Sequence, residues 1–238
     1  MVKNELIARS PLRILEKTTN GSIKSGEIAV IASRRGVGKT ACLVHIATDQ
    51  LIQEKHVIHI SFAANTGSII SWYEDIFKEI SMKNKLDNAM EVHDEIIKNR
   101  VIMNYKQDGI HITEIERSIE NLIKKGNFSA DTLVIDGYDF TRSSIDELKE
   151  FKNFAKDLGL SLWFSASVRD ETSYFDGISI PKLLEHMISE ISILISLKPK
   201  TEHIYFNLIK YYDETNFQNS HLKLDPNSLL ITEEELIH

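Results

Sequence analysis

Short apolar runs alternate along most of the chain with stretches whose apolar residues recur at helical spacing. "GEIAVIA" (Gly26 to Ala32) is a short apolar run after a Ser-Gly turn, the pattern of a strand buried on both faces. "KTACLVHIATDQLI" then sets Leu43, Val44, Ala47 and Leu51 at helical intervals, and "HVIHISFAA" (His56 to Ala64) reads as the next strand. "SIISWYEDIFKEI" gathers Ile69, Tyr73, Ile76, Phe77 and Ile80 on one helical face. A second cycle follows: strand "NRVIMNY", helix "ITEIERSIENLIKKG" closed by Gly126, and central strand "DTLVIDG". "SSIDELKEFKNFAKDLG" keeps Ile145, Leu148, Phe151, Ala155 and Leu158 together, opens on a Ser or Asp cap and ends at Gly159. "LSLWFSAS" is another strand, and "EISILISLKP", "HIYFNLIKYY" and "SHLKLDP" come in succession. Alternation followed by a run of strands predicts an α/β fold. Its sheet is mainly parallel, flanked by helices, with antiparallel strands added at one edge. The acidic end "ITEEELIH" reads as a frayed tail or a small docking piece.

Composition narrows the class without naming a function. With 238 residues, 42% hydrophobic and 26% charged, the chain suits one soluble domain with a full-sized core. Four Pro and ten Gly leave little room for long linkers. Cys42 sits among apolar neighbours in a predicted helix, as a packed residue in a reducing compartment would. "MVKNELIARSPLRILEK" is charged throughout, and no apolar stretch approaches the roughly 20 residues of a membrane span. The expected location is therefore the cytoplasm, with no membrane partner. A net charge of −7 argues against nucleic-acid binding through bulk charge, although a local basic patch stays compatible with it.

The candidate chemistry lies in "IASRRGVGKTACLVHI" (Ile31 to Ile46). A phosphate-binding loop (Walker A) is a tight turn between a strand and a helix, whose backbone N–H groups point at an anion. Ser33, Arg34, Arg35, Gly36, Val37, Gly38, Lys39, Thr40 and Ala41 are the nucleotide-binding candidates. Lys39 reaches the outer phosphates, Thr40 sets its hydroxyl on Mg²⁺, and Gly38 lets the backbone approach closely. The usual glycine at the loop's first position is Ser33 here. "TLVIDG" ends in Asp136, the form of a strand that holds Mg²⁺ directly or through water, so Thr40 and Asp136 are the metal candidates. A strand-terminal Asp is also a common cap, and the bland reading of the loop is a chance Gly-Lys-Thr in a turn.

With these residues in place, the chain resembles the RecA-like ATPase core of DnaB-type replicative helicases and, more distantly, KaiC-type ATPases. The resemblance runs over most of the chain. It includes "SPLRILEKTTNGSIKSGEIAVIASRRGVGKTACLVHIA", "LVIDGYDF", "ELKEFKNFAKDLGLSLWFSAS", "IPKLLEHMISEISILISLKP" and "YFNLIKYYDE". That family's loop commonly reads Ala-Arg-Pro-Ser-Met-Gly-Lys-Thr, so a missing first glycine is a family habit. The resemblance implies one RecA-like domain over 21–238, preceded by a linker-like segment over 1–20. It also implies ATP and Mg²⁺ as cofactors, and a homo-oligomer or ring.

Catalytic positions depart from the family. Its strand-end Glu, which aligns the attacking water, is replaced by Ala63, and its γ-phosphate-sensing Gln by Ser167. Its Lys-x-Arg finger appears as Lys210-Tyr211-Tyr212, with Tyr212 where the arginine belongs. A positioned base contributes about 10²–10⁴-fold and an arginine finger about 10³–10⁵-fold in rate. The expectation is a P-loop domain that binds ATP with weak or absent hydrolysis, acting as a nucleotide-dependent regulator or assembly factor. Glu74, Asp75, Asp139 and Glu171 are the carboxylates that could replace the lost base. Two rivals stay open: an active ATP-dependent DNA motor or recombination-type ATPase, and a scaffold whose nucleotide site is a fossil. DNA is the weaker partner, because "VRDETSYFDGISIP" sets Asp170, Glu171 and Asp176 against the single Arg169. His56, His59 and His93 lack the pairing of a metal site.

Overall fold

Six strands that the sequence marks as apolar runs lie parallel in one sheet: β1 (Ile28–Arg34), β2 (Val57–Ser61), β3 (Arg100–Asn104), β4 (Thr132–Asp136), β5 (Ser161–Val168) and β6 (Ile193–Pro199). The computed structural model describes residues 2–18, 21–62, 66–106, 112–168, 179–215 and 222–233. Antiparallel strands β7 (Ile204–Tyr211), β9 (Leu222–Leu224) and β10 (Ile231–Glu233) extend one edge, and the two-residue β8 (Glu214–Thr215) pairs with β7. The order is β10-β9-β7-β6-β1-β5-β4-β2-β3. The α/β fold with a mostly parallel sheet and an antiparallel edge is thus as expected. Of the acidic end, the described residues Ile231–Glu233 form a strand at the sheet edge, where Leu230 and Ile231 bury their apolar surface; the rest of it lies outside the described residues.

Helices cover both faces. On one lie α1 (Val2–Arg9), α2 (Leu12–Thr18), α3 (Lys39–Ile52), α4 (Thr66–Asn84) and α5 (Ala89–Ile96). The other is covered by α6 (Ile112–Lys124), α7 (Ile145–Asp157) and a 3₁₀ stretch at Lys182–Glu190. The N-terminal stretch packs against α3: Leu6, Leu12 and Leu15 join its core, and Arg13 ion-pairs with buried Asp49. Ser144 and Glu147 form a reciprocal capping box at the start of α7, which satisfies two backbone donors that a helix start leaves open. The expected closure of α6 by Gly126 takes another form. The left-handed residue is Asn127 (φ 57°), and Gly126 is needed because a Cβ there would lie 2.5 Å from the Leu122 carbonyl oxygen.

Strand alternation decides what reaches α3. Ala29 and Ile31 of β1, Val134 of β4 and Trp163 of β5 belong to the α3-side core. Residues two positions further along each strand share that face. Ser33 and Asp136 therefore stand near the carboxyl ends of β1 and β4 on the α3 side, with Ser165 of β5 on the same face and Ser167 two residues further along.

Candidate functional site

The turn from β1 to α3 is short, Arg35 to Gly38, so the strand runs almost directly into the helix. Gly38 is the helix N-cap at φ 108°, where no side chain caps the helix. The φ of Gly38 is one that L side chains rarely adopt, and a Cβ there would also displace the Leu224 side chain, whose Cδ2 would lie 2.5 Å away. Gly36 (φ 80°) faces open space, Arg34 and Arg35 are exposed, Val37 packs half-buried on the core, and Ala41 is buried. The loop is thus an exposed turn set on a buried helix start.

Lys39 folds back under that turn and is only 7% exposed. Its Nζ donates to the Ser33 carbonyl (3.1 Å), the Ser33 hydroxyl (3.3 Å) and the Arg34 carbonyl (2.8 Å). These acceptors are neutral. Burial pulls its pKa down to about 8, against the opposing pull of Asp136. An ammonium held in this way gains more from an arriving anion than a solvated lysine would.

Thr40 and Asp136, 96 positions apart, meet directly: the Thr40 hydroxyl donates to Asp136 Oδ2 at 2.8 Å. Ser165 donates to Asp136 Oδ1 at 2.7 Å, and Ser165 in turn accepts from the Gly137 N–H at 2.8 Å. Asp136 is 8% exposed, with each carboxylate oxygen held by a hydroxyl. A carboxylate and a hydroxyl oxygen side by side form a hard-oxygen donor pair that suits Mg²⁺, which keeps most of its ligands as water and phosphate oxygen. Sequence reasoning missed Ser165. The signal that could have found it is its place, two residues before Ser167, on a strand of the same parity.

The remaining sequence candidates do not gather here. Ala63 and Glu171 lie outside the described residues, as do Arg169, Asp170 and Asp176. Ser167 is exposed near the end of β5, in register with Ser33. Asp139 is taken up by its own turn, accepting from the Thr141 N–H (3.1 Å) and hydroxyl (2.5 Å). Glu74 and Asp75 line a groove on the outer side of α4, with His93 Nε2 2.7 Å from Glu74. Among the described residues, none of these carboxylates faces the loop as a base.

Lys210 and Tyr212 sit at the opposite end of the sheet, since Tyr211 pairs with Ile193, the first residue of β6. Lys210 donates to the Ile191 carbonyl, and Tyr212 (φ 51°) donates its N–H to the Ser192 carbonyl at 2.6 Å. The three histidines occupy separate places. His59 is buried against the Tyr73 hydroxyl (3.0 Å), His56 lies beside Asp131, and His93 beside Glu74. Tyr73 packs in the core as its helical spacing predicts. His45, buried on α3, accepts the Ile231 N–H at 2.9 Å; burial lowers its pKa to about 3, so it stays neutral and fixes β10 to the loop helix.

No protein-family model matches the chain, and no curated protein matches it. Among the described residues, no helix is long and apolar enough to cross a membrane.

Proposed function

We propose that this chain is a RecA-like P-loop protein that binds ATP with Mg²⁺ and hydrolyses it slowly or not at all. The observation that carries the reading is the meeting of Lys39, Thr40 and Asp136 at one strand-to-helix turn. Lys39 supplies a buried cation for the outer phosphates, and the start of α3 supplies backbone N–H groups without a side-chain cap. Thr40 and Asp136 are the residues that would hold the metal, which neutralises phosphate charge when bound. Gly36 leaves open space at the bend of the turn.

Weak turnover follows from what surrounds that centre. The position of the family's base is Ala63, that of its sensor is Ser167, and that of its finger is Tyr212. The lysine retained from the finger motif is engaged within its own chain by the Ile191 carbonyl. The role that follows is a nucleotide-dependent regulator or assembly factor in the cytoplasm.

Calorimetric titration with ATP and with a non-hydrolysable analogue, each with and without Mg²⁺, tests the reading. Both are expected to bind with similar affinity and Mg²⁺ dependence, and Lys39→Ala to weaken both sharply. Absence of binding would overturn the nucleotide assignment. Turnover in the ordinary range of about 1–100 s⁻¹, lost in Lys39→Ala, would overturn the claim of weak hydrolysis. Stimulation of that turnover by DNA would favour a motor.

A further inference from the structure

The large apolar side chains that stand exposed among the described residues lie on two neighbouring helices. Ile70 and Met82 of α4 are 43% and 53% exposed, and Met90 of α5 is 79% exposed. The inner side of α4 is fully used, with Ile69, Tyr73, Ile76 and Ile80 buried against the sheet. Between α4 and α5 runs an open groove of about 650 Å³ with Met82, Leu86, Ala89 and Met90 along it. Clustered exposed apolar groups rimmed by charge mark a contact surface rather than scatter. Methionine side chains, flexible and polarisable, adapt to an opposing surface.

The charges along the groove indicate its occupant. Glu74 and Asp75 stand at one end of the groove and Lys85 at the other, with Lys78 between them. The chain then turns back: the Phe77 and His93 rings lie 5.2 Å apart, so α5 runs beside α4 and brings Met90 to the Lys85 end. A second copy laid antiparallel over the first sets its acidic end on the basic end of its mate, twice by symmetry. The same placement brings the Ile70 end of each α4 to the Met90 end of the other. A parallel placement would oppose like charges. Self-complementarity of this kind is what an isologous two-fold contact requires. We infer that the α4–α5 face is the interface of a homodimer, with the two α4 helices antiparallel about an axis near Lys78 and Met82. The aliphatic stem of Lys78 then lies against the partner copy's apolar surface while its ammonium stays in water. Nucleotide does not enter this contact, so its fate is separate from that of the P-loop reading.

Sedimentation velocity of the full chain, from about 1 to 200 µM, reads the proposal, since that range covers a micromolar dissociation constant. A concentration-dependent dimer is expected. The double variant Met82→Glu, Met90→Glu is expected to be monomeric throughout, with the melting temperature of the dilute, monomeric wild type because both side chains are exposed. Lys85→Glu is expected to weaken the dimer at least about tenfold by opposing acids to acids. Adding Asp75→Lys to Lys85→Glu is expected to recover most of that loss. A monomeric wild type at the highest concentration would overturn the proposal. So would a dimer indifferent to the methionine pair, or a Lys85→Glu loss that Asp75→Lys leaves unrepaired.

Discussion

Lys39 and Lys210 are both drawn out of solvent, at opposite ends of the sheet and into opposite surroundings. Lys39 sits at the carboxyl ends of the parallel strands, bonded to neutral oxygens of an exposed turn. Burial lowers the pKa of Lys210 as well, but Asp213, Glu27 and Glu190 around it push the other way. Among the described residues Lys39 feels one carboxylate, Asp136, and bonds only neutral oxygens, while Lys210 has three carboxylates for neighbours and a carbonyl to bond. In the proposed reading this is why binding and cleavage separate. The parts that would hold phosphate and metal lie on one turn and the strand ends beside it. The part that would act on a neighbouring subunit lies on a different strand and has turned inward. Loss at one end leaves the geometry of the other intact.

Paired alanine variants break or keep this contrast most directly. Lys39→Ala removes charge-assisted hydrogen bonds to phosphate worth about 1.5–3 kcal/mol, so nucleotide affinity is expected to fall about 10- to 150-fold. Lys210→Ala is expected to leave affinity within about twofold and to lower stability by about 1 kcal/mol, the net worth of one hydrogen bond. Calorimetric titration and thermal melting of both variants read the two quantities. Equal losses of affinity would remove the distinction between the two ends.

A pH titration sharpens the same comparison with a smaller effect. The Lys39 pKa is lowered to about 8, so Lys39 loses its charge in the empty loop as pH rises through that value. A bound phosphate restores the proton, because the opposite charge favours the ammonium form. Binding above pH 8 therefore takes up a proton, and affinity is expected to fall by up to about tenfold per pH unit. Below that value, the pH dependence from Lys39 vanishes. Titrations in buffers of different ionisation enthalpy count the proton, and a zero count about one unit above that pKa would contradict the placement of Lys39. Lys210→Ala is expected to leave this profile unchanged.

The parts of the molecule legible in the sequence are those where one local signal decides. β1 and β4 announce themselves as continuous apolar runs because both faces of the strand are buried. Ser144 and Glu147 at fixed spacing give away the start of α7. The loop shows itself through Gly38, Lys39 and Thr40, and Asp136 through the strand that carries it. α5 stays hidden because its eight residues bury only Val92 and Ile96, too few to set a period. The 3₁₀ stretch at Lys182–Glu190 buries Leu184 and Met187 three residues apart, which fits several local structures. What Lys210 touches, and that Ser165 braces Asp136, depend on which strands become neighbours. That order follows from the packing of the whole sheet.

Ser33 offers the smallest and most discriminating change. It is the visible oddity of the loop, and its buried hydroxyl is engaged on both sides. The oxygen accepts from Lys39 at 3.3 Å, and the hydroxyl donates to the Arg34 carbonyl at 3.0 Å. A hydroxyl that holds Lys39 back competes with phosphate for the same ammonium. Removing it is expected to raise nucleotide affinity about two- to fivefold, within the roughly 0.5–1.5 kcal/mol of a net hydrogen bond. Ser33 lies within β1, paired with Ser167, and is not among the residues at positive φ. The backbone there asks nothing that only glycine can give. Ser33→Ala and Ser33→Gly should therefore act alike if the hydroxyl matters. If Ser33→Gly alone raises affinity, chain freedom at the head of the loop is what the serine withholds, and the Lys39 contact is incidental.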